Sequence, residues 1–207
     1  GEITEEEFKK YQHSACPSCG ACQFMGTAST MQLMAEAMGL ALPGAALIPS
    51  TSPALSEMTK EAGHYLVDLV KKGLKPSDII TRKSFENAIM IHAAIGGSTN
   101  ALLHIPAIAH EFGIEIELDE FDQIHREIPF IANVKTSGEY PTHYFWYAGG
   151  LPAVMKELKD YLHLDQMTVT GKTLGENLEE LEKFSYLEYM ETEAPANLPD
   201  DVIYPAA

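Results

Sequence analysis

Cys16, Cys19 and Cys22 stand three residues apart within one seven-residue stretch. Thiolates at that spacing converge on a single metal ion or cluster, and the helix expected to open just beyond them points its positive end back at Cys22, which favours thiolate over thiol. A disulfide framework would scatter an even number of cysteines through the chain, so three in one loop read as metal or cluster chemistry. The residues by themselves leave alternatives open. Zinc is one, with His13 as a fourth ligand, although ligand pairs in zinc modules lie farther apart in sequence. A redox Cys-x-x-Cys pair is another, and buried cysteines packing a tight loop a third.

A second candidate is the Gly-Gly-Ser-Thr-Asn run at 96–100, because small residues before a helix let backbone amides approach an anion closely. Ser98, Thr99 and Asn100 are therefore candidate substrate contacts; the competing explanation is that the glycines only permit tight helix packing. Gly171, Lys172 and Thr173 do not form a phosphate loop, since Gln166 stands where the first glycine of Gly-x4-Gly-Lys-Thr belongs. His104 and His110 fall on different helix faces, and His64, His92, His125 and His143 lack a carboxylate or thiol at ligand spacing, so these read as surface or core histidines. The aromatics at 140–147 are expected to pack a core or a subunit contact.

The elements that must position these residues follow from periodicity and punctuation. Thr27, Ser29 and Thr30 offer hydroxyl caps, and Met31, Met34, Ala35 and Met38 recur at helical spacing up to Gly39. A long helix opens at Ser52 and Pro53 and closes at Gly73, with Leu55, Met58, Leu66, Leu69 and Val70 on its expected buried side. Further helices are expected over 83–95, from Ser98 or Thr99 to Phe112, over 120–125, 152–162 and 174–181. Strands are expected at 114–118, which alternates, at 130–134 and at 167–170. Alternating strands and helices predict a helix-rich, three-layer α/β/α arrangement.

The 207 residues can bury one good core. Their apolar runs stop well short of a membrane span. A formal charge of -16 opposes binding to nucleic acid or an anionic membrane surface without a local basic stripe, and Lys71, Lys72, Arg82 and Lys83 read as solvated helix ends instead. Residues 1–11 are polar and charged, without the apolar core of a secretory signal, so the cytoplasm is the expected location.

Several segments together carry a resemblance. Residues 13–31 followed by 39–44, then 82–88, 96–104, 129–133, 148–154 and 168–174, resemble the dihydroxy-acid and phosphogluconate (aldonic-acid) dehydratase family in that order. The likeness covers about residues 13–181. It implies a hydro-lyase that removes water from a 2,3-dihydroxy acid to give a 2-oxo acid. It also implies an iron-sulfur cluster, 2Fe-2S or 4Fe-4S, held by three cysteines from separated segments, with Mg²⁺ beside it.

Placed on this sequence, the family's motif puts the cluster cysteine at Cys22, with Cys16 and Cys19 as neighbouring thiols. The same resemblance puts the other two cluster cysteines and most Mg²⁺ ligands upstream, and the catalytic serine in a downstream β-barrel. No catalytic residue is then expected in this segment, and residues 1–207 by themselves are expected to be inactive. Residues 1–181 become part of a cluster-binding α/β domain and 182–207 an acidic linker towards the barrel. The rest of a parent polypeptide and further copies of it are the expected partners. Gln23 and Phe24, where small residues mark the branched-chain biosynthetic enzymes, lean the reading towards sugar acids, with the branched-chain dihydroxy-acid enzyme as the alternative. A rival of another class is a non-catalytic scaffold module with structural cysteines.

Overall fold

A computed structural model describes residues 3–14 and 22–206, apart from the side chains of His13 and Ser14; Cys16 and Cys19 lie outside the described residues. The described residues form eleven helices: α1 (Glu5–Ser14), α2 (Thr27–Ala37), α3 (Pro53–Lys72), α4 (Pro76–Ile79), α5 (Arg82–Ile95), α6 (Ala101–Glu111), α7 (Leu118–Glu127), α8 (Thr142–Tyr147), α9 (Gly150–Glu157), α10 (Leu174–Lys183) and α11 (Tyr186–Glu193). No described helix is long and apolar enough to cross a membrane.

α5 is the axis of the core. Phe85, Ala88, Ile89, Ile91, Ala94 and Ile95 are fully buried, a spacing that covers most of the helix circumference. Such a helix must be enclosed, and α2 and α7 pack against it while α6 and α9 close further sides. Leu33, Met34 and Ala37 of α2 and Phe121 of α7 supply the facing surfaces. Each large side chain buried this way contributes about 1.5–3 kcal/mol.

The expected helix-rich character is present, but no layered sheet appears among the described residues. The alternating segment at 114–118 instead runs into α7. Glu120 accepts from the Glu117 amide at 2.8 Å, which starts the helix, and Arg82 of α5 clamps the same carboxylate. Segments 130–134 and 167–170 make only isolated bridges: Ala132 with Ile203, Val134 with Tyr140 and Met167 with Thr173. The Asn133 amide donates to Val202 and the Tyr204 amide to Ile131, so 202–204 lie alongside 131–133.

α3 begins and ends as its sequence dictates. The Ser52 hydroxyl accepts from the Ala54 amide, Pro53 occupies the first turn, and Gly73 closes the helix in the left-handed region at φ 69°. Its expected burial is overturned: no residue of α3 is buried, and Leu55, Leu66 and Val70 are 37%, 62% and 74% exposed. The spacing makes the helix amphipathic: Ala54 and Met58 near its start pack partly against the core, while Leu66, Val67 and Val70 stay exposed.

The end of α2 holds the loop that follows. Glu36 is buried, and its carboxylate accepts from the Gly44 amide at 2.7 Å and the Ala46 amide at 2.8 Å, while the Trp146 indole donates to the Gly44 carbonyl. Burial pushes the Glu36 carboxyl up to about 7, against the downward pull of the two amides. The folded state therefore binds this proton more tightly than the unfolded chain. The resulting stability is fully present below the ordinary value of 4.5 and is lost as the pH rises through 7. The urea midpoint is expected to fall between pH 5 and 8, by up to roughly 3 kcal/mol in stability. Glu36→Gln is expected to be less stable at pH 5, because an amide N–H meets one of the two donors, yet to show a flatter profile.

Candidate functional site

Cys22 emerges with its thiol exposed and its peptide fixed. Its carbonyl accepts from the Thr142 hydroxyl at 2.8 Å and from the Ser29 hydroxyl at 3.2 Å. The next residues are secured too: the Thr142 amide donates to the Gln23 carbonyl and the Met25 amide to the Lys135 carbonyl, with Met25 buried beneath. α2 then starts at the N-cap Gly26, which brings no side-chain cap, and its first turn carries no carboxylate. The N-terminal end of α2 thus follows four residues after Cys22 with no carboxylate in its first turn.

The hydroxyls expected to cap α2 act elsewhere. Ser29 holds Cys22, whereas Thr27 and Thr30 reach the turn that follows α5. The Ser98 amide donates to the Thr30 hydroxyl at 2.9 Å, the Asn100 side-chain amide donates to the Thr27 hydroxyl at 2.5 Å, and the Ser98 and Thr27 hydroxyls lie 3.4 Å apart. Cys22 and the 96–100 turn, read separately in the sequence, therefore share the first turn of α2.

The glycines of that turn have steric reasons. Gly96 ends α5 at φ 59°, and a Cβ there would sit 2.8 Å from the Phe130 ring; on Gly97 it would lie 2.4 Å from the ring of His92. Most backbone amides of the turn are already engaged, Gly97 with the His92 carbonyl, Asn100 with the Ser98 hydroxyl and Ala101 with the Ser98 carbonyl. What the turn offers a ligand is the hydroxyl and carboxamide chemistry of Ser98, Asn100 and the exposed Thr99.

Among the described residues no cluster of three or more His, Cys, Asp or Glu side chains could hold a metal ion, and Cys22 stands there as a lone thiol. A lone exposed thiol on a held peptide could supply one corner of a cluster and no more. The zinc alternative through His13, Cys16 and Cys19 lies outside the described side chains. Lys172 is ion-paired with Glu180 at 2.5 Å and Gly171 approaches the Lys72 ammonium, an arrangement with no phosphate-loop geometry. Phe145 and Trp146 of the aromatic stretch are buried in α8, as packing residues. A groove of about 590 Å³ between α9, α10 and α11, lined by Lys156, Leu178, Glu182 and Tyr186, includes none of the site residues.

Sequence reasoning missed Thr142, Ser29, Thr27 and Thr30 as holders of the site. The cluster of hydroxyls after Cys22 was the available signal, but it equally fits ordinary caps.

Comparison with known proteins gives an independent line. The family described as dihydroxy-acid/6-phosphogluconate dehydratase N-terminal matches residues 1–177. Similar proteins include a dihydroxy-acid dehydratase of Halothermothrix orenii, 47% identical over 180 residues, covering 86% of this chain and 33% of that protein. Dihydroxy-acid dehydratase 1 of Methanosarcina acetivorans is 47% identical over 182 residues, covering 88% and 33%. Dihydroxy-acid dehydratase 2 of Staphylococcus saprophyticus is 47% identical over 182 residues, covering 87% and 32%. The chain spans about a third of the length of these relatives.

Proposed function

The chain belongs to the dihydroxy-acid/6-phosphogluconate dehydratase N-terminal family, and on that premise we propose that it is a cluster-binding piece of a hydro-lyase converting a 2,3-dihydroxy acid to a 2-oxo acid. The reaction removes the proton beside the carboxylate and expels the C3 hydroxide, and the enol left behind tautomerises to the keto acid. When bound, an iron-sulfur cluster with an open iron supplies the Lewis acid that makes hydroxide a tolerable leaving group, and Mg²⁺ supplies a charge for the carboxylate. The observation that carries this reading is that Cys22 and the 96–100 turn are both tied to the first turn of α2.

Within this chain the roles divide plainly. Cys22 gives one thiolate corner. Ser29 and Thr142 fix its peptide carbonyl and so the backbone that carries the thiol. Ser98, Thr99 and Asn100, braced by Thr27 and Thr30, form a polar corner able to meet substrate hydroxyls. The remaining cluster thiols, the Mg²⁺ ligands and the base belong to the rest of a parent polypeptide, which assembles as a homo-oligomer. Residues 1–181 are part of its three-layer α/β domain, with the bridges at 131–134 as ends of strands completed by that polypeptide, and 182–207 lead towards a C-terminal β-barrel.

The substrate is a short branched dihydroxy acid. The relatives are named dihydroxy-acid dehydratases, which supports this alternative over the sugar-acid lean drawn from Gln23 and Phe24. The test is a comparison of kcat/KM in the full-length parent for a branched 2,3-dihydroxy acid and a six-carbon aldonic acid. The branched acid is expected to be favoured by at least about tenfold, the effect of roughly 1.4 kcal/mol in transition-state binding. Preference for the aldonic acid overturns the substrate assignment.

A further inference from the structure

His92 is buried near the end of α5, and both of its ring nitrogens are engaged. Nε2 lies 3.0 Å from the Ser98 carbonyl oxygen, and Nδ1 lies 3.1 Å from Nε2 of His125 on α7. A carbonyl only accepts, so the His92 proton must sit on Nε2; Nδ1 is then a lone pair, and His125 must donate to it from Nε2. One backbone oxygen therefore dictates the tautomers of two rings. The rings stack with centroids 5.0 Å apart, and Phe121 meets each edge-on at 6.1 Å.

We propose that His92 and His125 are positioning residues for the corner formed by Ser98, Asn100 and Thr27, holding the turn through a neutral chain of hydrogen bonds whose donor order a proton on His92 would upset. A second proton on His92 would point an N–H at the N–H of His125, so this contact survives only if His125 gives up its Nε2 proton and takes the other tautomer. Otherwise the ring or the turn has to move, and Gly97, packed directly on the His92 ring, moves with it.

The surroundings keep the chain neutral. Burial holds His92 below the usual histidine value, against the Ser98 carbonyl. His125 is held low by burial and then by His92, against the pull of Asp122. Asp122 of α7 is itself held by Arg126 at 3.0 Å, and Glu86 of α5 is engaged by Arg82 and His163. The turn brings no charged side chain. The neutral form therefore prevails at pH 7, and the proton enters only as the pH falls.

The proposal rests on reading this corner as part of the dehydratase site, and its test separates the two. In the 207-residue chain, long-range proton–nitrogen NMR at neutral pH is expected to show both rings protonated at Nε2. As the pH is lowered, the amide signals of Ser98, Thr99 and Asn100 are expected to shift with the same midpoint as the His92 ring. His125→Phe keeps the stacked ring but removes the donor, and should raise that shared midpoint by at least about half a unit. A His92 ring protonated at Nδ1, or turn amides that ignore the ring titration, overturns the proposal. In the parent enzyme, Ser98→Ala is expected to lower kcat/KM. If it does not while the NMR linkage holds, the hydrogen-bonded chain stands and the substrate role of the turn falls.

Discussion

Replacing Cys22 with serine in the full-length parent is expected to lower dehydratase turnover by about a thousandfold or more, with the fold left in place. Lewis-acid assistance to a leaving hydroxide is worth several kcal/mol, roughly a factor of ten for each 1.4 kcal/mol. Serine lacks the soft thiolate that retains iron. The contacts that fix this peptide run through its backbone carbonyl, to Ser29 and Thr142, and a serine preserves them. The thiol is exposed, so its replacement opens no cavity. The urea midpoint should stay within error of the wild type while product formation, followed as 2-oxo acid, disappears. Turnover within tenfold of the wild type would remove Cys22 from the site.

The largest effect on stability is expected from Gly39→Ala, a loss of about 3 kcal/mol or more. α2 ends with Gly39 at φ 79°, its amide bonded to the Glu36 carbonyl while the Leu40 amide returns to Ala35, a helix end that requires the left-handed conformation. A side chain in that conformation costs about 1–2 kcal/mol. Here it also has no room. A Cβ would fall 2.8 Å from the Met167 carbonyl oxygen and 3.2 Å from the Thr168 Cα, and backbone cannot swing aside as a side chain can. Overpacking of this kind adds about 1–3 kcal/mol. The same glycine accepts the Val169 amide, so the strain spreads to the junction between α2 and the 166–173 segment. Urea denaturation of the chain measures the loss; a change below 1 kcal/mol would mean that the segment yields easily.

Where local chemistry decides structure, the chain was readable. Ser52, Pro53 and Gly73 bound α3 as expected, and Gly96 ends α5. Where a distant partner decides, it was not. The alternation at 114–118 is a strand pattern, yet Arg82, 38 residues before Glu120 in the chain, helps hold the latter at the start of a helix. The stripe of Leu55, Leu66 and Val70 shows that α3 has an apolar side, and nothing local says what meets it. α1 and α11 are short and strongly charged, with little buried surface to create a periodic signal. Cys22 stood out by its motif, but it is held by Ser29 of the same helix turn whose Thr27 meets Ser98, 71 residues on, and the partner of His92 lies 33 residues on. Pairings of that kind exist only once α2, α5 and α7 have packed.

The most direct measurement is the iron and acid-labile sulfide content of the anaerobically purified parent, with its visible absorbance, for Cys22→Ser, Cys16→Ser and Cys19→Ser beside the wild type. The expected result is loss of iron, sulfide and colour at position 22, with near-normal content at 16 and 19. Iron retained without the Cys22 thiol, or lost equally from all three variants, contradicts the assignment of that thiol as the corner this chain contributes.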